Sequence, residues 1–517
     1  MKTSNLTLVI AATLAFTAVG CTDLEDKVIG QPVDVTQRPG AQVDLTSLLS
    51  GVYGQLNGLT DQANTYAMGE HSSDEMMGPT RGTDWDDFGT WRRLHQHTWD
   101  ATHNQIVATW NQLNTGVFRA TELIAAAQSN PSVLAQGRFL RAFFMYHIVD
   151  LYGQVPFREA NASFDTNPRV LSRAEATQFI IDDLTAAIPG LPTTANASQT
   201  TATRAAGQFL MAKVMLNKAV FVQNPQQPQG PFTFAQGDMN AVIANCDAII
   251  NSGTFALEPS GQYFDNFHWD NSTLSRELVF ALRNDKGAAP ANARNRFYMT
   301  LHYNQTPSGW NGFTTLADFY NSFEANDQRR GATIPGMTDV IGLRAGFLAG
   351  QQTNGAGRPL TDRGGAPLTF TPDVNLLYAN ERMGIRVVKY FPDPTDIDNS
   401  GNDYVMFRYA DVLLMKAEAI LRGGTATGGA TVASLVNQVR TARGASNLTS
   451  VNEAALLAER GRELYWEGWR RNDMVRFGTF LNPFDQKPTP TPPHRVVYPI
   501  PQQAIDTNPN LKQNFGY

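Results

Sequence analysis

Apolar residues recur at intervals of three and four along most of the first half of the chain, the period of a helix with one buried face. Residues 103–128 carry Ile106, Trp110, Leu113, Val117, Leu123 and Ile124 at that spacing. Asp44 stands where its carboxylate can cap LTSLLSGVYGQLNGL. Pro131 opens a second long helix, SVLAQGRFLRAFFMYHIVDLYG, which stops at Gly153. Ser172-Arg-Ala-Glu175 is a capping box ahead of ATQFIIDDLTAAI, and Pro189 ends that helix. Residues 203–221 and 238–252 predict two more, the second closed by Gly253. Helices of this length joined by short turns imply antiparallel pairs stacked in series.

The pairs loosely resemble tetratricopeptide units, without a clean repeat of about 34 residues. From 254 to 405 the texture changes to Gly, Pro, Asn and aromatics, with one helix expected over 314–323. GAGRPLTDRGGAPLTFTP reads as loop, and long irregular regions rich in aromatics are usually ordered and functional. Helices return over 407–422, 431–443, 451–468 and 472–477. The tail PTPTPPHRVVYPIPQQAIDTNPNLKQNFGY has too many prolines for regular structure and predicts an extended strap over the core. The expected fold is therefore mostly α, with tetratricopeptide-like helix pairs in an α-α superhelix plus an irregular, loop-rich lobe. Its parts are a helical portion at 41–253, a ligand-binding lobe at 254–405, and a C-terminal helical portion with the proline-rich tail at 406–517.

The N-terminus has a different grammar. Lys2 precedes an uncharged apolar run, too short to span a bilayer and laid out like a secretory signal. Ala18-Val19-Gly20-Cys21 resembles a bacterial lipobox, although Ala18 stands where Leu is more usual. Residues 1–20 are thus expected to be a signal peptide, Cys21 the lipidated residue, and 21–40 a tether. Each buried CH₂ of an acyl chain contributes about 0.8 kcal/mol, so several chains hold a protein to a membrane. The acidic start of the tether resembles the surface-export signal of Bacteroidota lipoproteins. The alternative is ordinary cleavage that leaves Cys21 free. The other cysteine, Cys246, falls in the helical stretch MNAVIANCDAII and reads as a small core residue, with no disulfide expected.

Composition excludes one class of partner. A net charge of -6 and a pI near 5.8 give no basic field for nucleic acid. The hydrophobic share of 42% against 17% charged suits a chain with a real buried core.

Candidate chemistry concentrates in GPTRGTDWDDFGTWRRLHQHTWD, residues 78–100, where Trp85, Trp91 and Trp99 sit among Arg81, Asp84, Asp86 and Asp87. Gly78, Pro79, Gly82 and Gly89 break any period, so the first half reads as loop. Indoles on a loop need a reason, because loops carry function. Flat rings beside carboxylates and guanidiniums suit a ligand with one apolar face and many hydroxyls, such as a sugar. The competing reading is that these rings pin the loop to a helical core. Farther along, Trp310 lies between glycines in Ser308-Gly309-Trp310-Asn311-Gly312, with Tyr298 and Tyr303 upstream.

Other constellations are weaker. His95, His97 and His103 lack a convincing acidic partner, so no metal is assigned to them. Asp396-Ile-Asp398-Asn-Ser400-Gly401 resembles the start of a calcium loop, yet its twelfth position is Phe407. A polar turn is the simpler reading and calcium the alternative; no other cofactor is expected. GxSxG, HExxH and P-loop motifs are missing, and no enzyme activity is expected. A glycosidase pair of carboxylates would meet in space and not in sequence.

Four segments resemble one family. RFLRAFFMYHIVDLYGQVPF (138–157), FRYADVLLMKAEAIL (407–421), ERGRELYWEGWRRNDMVRFG (459–478) and YPIPQQAIDTNPNLKQNFGY (498–517) are similar to SusD/RagB sequences. The resemblance implies an outer-membrane lipoprotein, lipid-anchored and facing the cell exterior. It implies capture of nutrients, usually glycans, and delivery to a SusC-like TonB-dependent transporter on which the protein sits as a lid. The 79–99 and 308–312 pieces resemble one branch whose loop contributes to the glycan face. The expected glycan contacts are Arg81, Asp84, Trp85, Asp86, Trp91, Tyr298, Tyr303, Trp310 and Asn311, with Trp310 as the stacking platform. That site requires the two pieces to meet on one face. Arg462, Glu463, Glu467, Arg470 and Arg471 read instead as one helix braced by ion pairs, and Trp466 and Trp469 as core. A surface glycoside hydrolase and a helical scaffold for peptide or protein are the rival functions; some family members take peptides.

Overall fold

The computed structural model describes residues 44–160, 162–163, 165–193, 199–284 and 292–517. The expected signal peptide, Cys21 and the 21–40 tether lie outside the described residues. Asp44 caps the first helix, Leu45–Gly54, accepting from the N–H groups of Thr46 at 3.0 Å and Ser47 at 3.2 Å. Asn104–Ala126 and Pro131–Leu151 follow, the latter begun by Asn130, whose side chain takes the Val133 N–H. The Ser172–Glu175 box forms reciprocally at the start of Arg173–Ala187. Thr203 caps Arg204–Phe221, and Gln236–Asn251 completes the series. From Asn104 onward each long helix packs on the next. Gln236–Asn251 then packs on Tyr409–Leu421, which in turn meets Val432–Ala442 and Glu453–Leu464. The result is a mostly α, tetratricopeptide-like superhelix with a loop-rich lobe inserted between its two ends.

Three predicted helices need correction. The helix over 314–323 shrinks to Ala317–Asn321, because Thr314 and Thr315 give their N–H groups to Met77 and Ile385 instead of to a helical turn. Phe407 and Arg408 belong to the strand Tyr404–Arg408, antiparallel to Leu278–Leu282, and the helix starts at Tyr409. The helix expected over 451–468 ends at Leu464; Trp466 turns left-handed at φ 58° and a new helix, Arg470–Arg476, begins. Glu463, Glu467 and Arg471 therefore do not share one helix. The cause is tertiary: buried Glu75 accepts the Trp466 N–H at 3.1 Å and buried Glu70 the Gly468 N–H at 2.5 Å.

The charged residues around this break are core. Arg329, Arg408 and Arg443 reach Glu463 at 3.0, 2.5 and 2.9 Å, all with buried side chains. Burial alone would raise the Glu463 carboxyl, but the three guanidiniums outweigh it and hold it well below the usual range. Lys389 meets Glu467 at 2.6 Å, Arg470 meets Asp74 at 2.6 Å, and Arg471 meets Asp150 at 2.9 Å. Trp466 and Trp469 are buried with them.

In the lobe, Gly331–Ala332, Ala345–Leu348 and Arg386–Val388 make a three-stranded antiparallel sheet, with Gly346 opposite both Gly331 and Val388. The proline-rich tail runs as a strap, but the expectation that it holds no regular structure fails, since Gln502–Thr507, just after Pro501, is helical. Tyr498 donates its N–H to Leu151 and its hydroxyl to Met68, both at 2.7 Å, and Trp99 donates to the Tyr517 hydroxyl at 2.8 Å. Cys246 is fully buried, and burial pushes its thiol pKa up. No helix among the described residues is long and apolar enough to cross a membrane.

Candidate functional site

Residues 78–89 form the loop that glycine and proline predicted, and Thr90–His95 adds a short helix after it. Arg81 and Asp84 exchange backbone hydrogen bonds at 2.9 and 3.0 Å around Gly82. Trp85, Asp87 and Phe88 all adopt positive φ, at 64°, 40° and 54°. Left-handed backbone costs a residue with a β-carbon about 1–2 kcal/mol. Local bonds hold it: Trp91 donates its indole N–H to Asp87 at 2.5 Å, and the Thr90 hydroxyl donates to the Asp87 carbonyl at 2.8 Å.

This twisted loop directs Trp85 onto the second predicted segment. The Trp85 ring packs on Phe313 and Trp91, with centroids 4.9 and 6.2 Å away, and donates its N–H to the Trp310 carbonyl at 2.9 Å. Only glycine fits at 312, since a β-carbon there would lie 2.4 Å from the Trp85 ring. Trp310 is 37% exposed and stacks on Tyr298, ring planes 19° apart and centroids at 5.9 Å. The Tyr298 hydroxyl donates to Asp398 at 2.8 Å; burial first, then that carboxylate, push its pKa up to about 12. Tyr303 donates to Asp84 at 2.9 Å, and Arg363 lies 4.1 Å above its ring. Burial and Asp84 likewise push Tyr303 up to about 12. The two segments meet on one face, and Trp85, Trp310, Tyr298, Tyr303 and Asp84 come together there.

The remaining predicted residues stand differently. Trp91 is buried beneath Trp85. Arg81 is only 5% exposed and donates to the carbonyls of Gly312 at 3.1 Å, Asn380 at 2.5 Å and Met383 at 3.0 Å. Burial pushes its pKa down to about 9. Asn311 is buried, and its side-chain oxygen accepts from Arg386 at 2.8 Å. These three frame the face from behind. Asp86 points away from the rings, into an ion pair with Arg92 that lines a recess of about 700 Å³.

That recess also holds residues the sequence reading missed. Tyr378 is 81% exposed at its edge, next to exposed Leu377. Phe88, two positions beyond Asp86, is fully in solvent. The available signal was Asn375, whose side-chain oxygen accepts the N–H groups of Leu377 and Tyr378, the Asx turn that asparagine favours.

The histidines serve the body of the fold. His95 bonds the Asp485 carbonyl at 3.0 Å, His97 the Ser72 carbonyl at 2.8 Å, and His103 the Thr90 carbonyl at 3.1 Å. Burial pushes His95 and His103 down to about 4. In the 396–401 turn Asp396 accepts from Asn399 at 3.0 Å, while Asp398 steadies Tyr298. Among the described residues no three His, Cys, Asp or Glu groups gather as metal ligands.

Residues 276–517 match the model of the SusD family. The chain is 26% identical over 419 residues to the starch-binding protein SusD of Bacteroides thetaiotaomicron, covering 74% of this chain and 72% of that one. It is 23% identical over 557 aligned positions to SusD-like protein P2 of Formosa agariphila, covering 99% of each. Among solved structures, the surface glycan-binding protein A from Bacteroides thetaiotaomicron shares the fold with a TM-score of 0.69 at 20% identity, over 92% of this chain and 98% of that one.

Proposed function

We propose, for a chain that belongs to the SusD/RagB family, that it is a non-catalytic cell-surface binding protein for oligo- or polysaccharide. Trp310 carries this reading. It is a half-exposed indole, stacked in near-parallel register on Tyr298, and its backbone carbonyl is held by the Trp85 indole N–H. A folded protein gains little by leaving such a ring in water, whereas the apolar face of a sugar covers it well. A tryptophan can bury roughly 150–250 Å², worth several kcal/mol at about 25 cal/mol/Å². Desolvating the sugar hydroxyls and ordering the ligand consume much of that gain. The expected affinity is about millimolar to micromolar, or −4 to −8 kcal/mol.

Binding of that strength suits a protein that must release its ligand. In this reading the 254–405 lobe is the ligand-binding part, since it supplies Trp310, Tyr298 and Tyr303. The cargo passes to a SusC-like TonB-dependent outer-membrane transporter, with the protein anchored through lipidated Cys21. Starch binding and glycan binding in the names of two of the similar proteins support the ligand class.

The test incubates the purified protein with a polysaccharide panel, measuring retention of the polysaccharide and release of reducing ends. Retention without release is expected. Turnover abolished by a single carboxylate substitution would make the protein a glycoside hydrolase; peptide binding without glycan binding would make it a scaffold.

A further inference from the structure

The recess beside the Trp310 face contains a ring that the proposed platform does not use. Tyr378 stands in solvent although the loop that carries it is firmly made. Asn375 accepts the N–H groups of Leu377 at 2.9 Å and Tyr378 at 3.0 Å. Thr80 clamps the same tip from both sides, giving its N–H to Leu376 and accepting from Ala379, each at 2.9 Å. Asn380 accepts the N–H groups of Arg382 and Met383 at 2.9 and 3.1 Å. The backbone that carries Tyr378 is therefore fixed, and the ring stands in solvent where folding gains nothing from it.

Across the recess, Asp86 and Arg92 form an ion pair with side chains 49% and 31% exposed. A pair this wet adds little stability. It does present carboxylate acceptors and guanidinium donors side by side, the pattern that adjacent sugar hydroxyls require. Its charges cancel, which favours a neutral sugar over a uronate or a sulfated one. The volume of about 700 Å³ falls within the usual range of small-molecule sites.

Arg81 places the recess beside the platform. One guanidinium donates to Gly312 of the Trp310 loop and to Asn380 and Met383 of the recess wall. The two loops are thus within the reach of a single side chain. We propose that the recess is a second sugar position, in which a neutral pyranose stacks on Tyr378 and bonds to Asp86 and Arg92. This rests on the glycan reading above and deepens it: the ligand is a chain of several sugars, held at two stacking points.

The wild type, Tyr378→Ala, Tyr378→Phe and Trp310→Ala are titrated with amylopectin, laminarin, xyloglucan and galactomannan, then with oligosaccharides of increasing length from whichever binds. Tyr378→Ala is expected to weaken polysaccharide binding about tenfold, the scale of losing one aromatic contact. It should also erase the gain in affinity with oligosaccharide length, at an unchanged melting temperature, while Tyr378→Phe keeps that gain. If Trp310→Ala weakens binding and Tyr378→Ala binds every length as the wild type does, the recess is not a sugar position and the platform stands. If none of the polysaccharides binds, the glycan reading fails and the second position with it.

Discussion

The indole N–H of Trp85 donates to the backbone carbonyl of Trp310 at 2.9 Å, joining two loops 225 positions apart. Through that bond a strained loop ahead of the first long helices holds the backbone that carries an exposed ring in the lobe. Three non-glycine residues with positive φ between positions 85 and 88 are the local cost of this arrangement.

Gly312→Ala tests that coupling. A β-carbon there would lie 2.4 Å from the Trp85 ring and 2.8 Å from the Met299 carbonyl. Trp85 must then leave its place, so the near-UV circular dichroism of the tryptophans should change and glycan affinity should fall about tenfold. An unaltered near-UV spectrum would show that the close approach does not constrain Trp85.

Arg81→Ala removes the tie between the Trp310 loop and the recess wall. Three carbonyls lose a donor, at about 1–3 kcal/mol for each one left unpaired. Reduced stability should accompany weakened binding, and Arg81→Lys should not restore either, because an ammonium cannot span the same fork. Full rescue by lysine would mean that charge alone matters at this position.

Glu463→Gln strikes the structural core instead. It leaves Arg329, Arg408 and Arg443 short of a shared buried carboxylate. Removing one partner of a buried ionic cluster costs about 3–5 kcal/mol. Urea denaturation should show a loss of that size, whereas Trp310→Ala should change the midpoint little.

Stability should also carry a pH signature from Glu70. Burial raises its carboxyl from 4.5 to about 7, against the Gly468 N–H and the charges of Arg296 and Lys389. The folded state thus holds a proton that the unfolded chain has released. This contribution is complete below about pH 4.5 and is lost as pH rises through about 7. The stability of the wild type relative to Glu70→Gln should therefore decline between about pH 5 and 8. A difference independent of pH would show that Glu70 is ionised throughout.

The helices were legible because their signals are local. Asp44, Ser172 with Glu175, Thr203 and the opening Pro131 act within one turn of the helices they start. The break after Leu464 was not, since an apolar period runs on through Tyr465 and Trp469. What stops the helix is Glu75 and Glu70, 391 and 398 positions away in the chain. The same holds for 314–323, whose first residues pair with Met77 and Ile385. At the site, an indole flanked by glycines marked Trp310, and the cluster of tryptophans marked the loop that meets it. The burial of Arg81 and Asn311 and the exposure of Tyr378 depend on contacts with the 375–386 segment, which no spacing in the chain announces.

Calorimetry against a polysaccharide panel, repeated with Trp310→Ala and Trp85→Ala, tests the central claim most directly. The proposed platform requires at least one polysaccharide to bind, and each substitution to weaken that binding by about 1 kcal/mol or more, the scale of a lost aromatic contact. Binding that is equally strong in the wild type and both variants would contradict it.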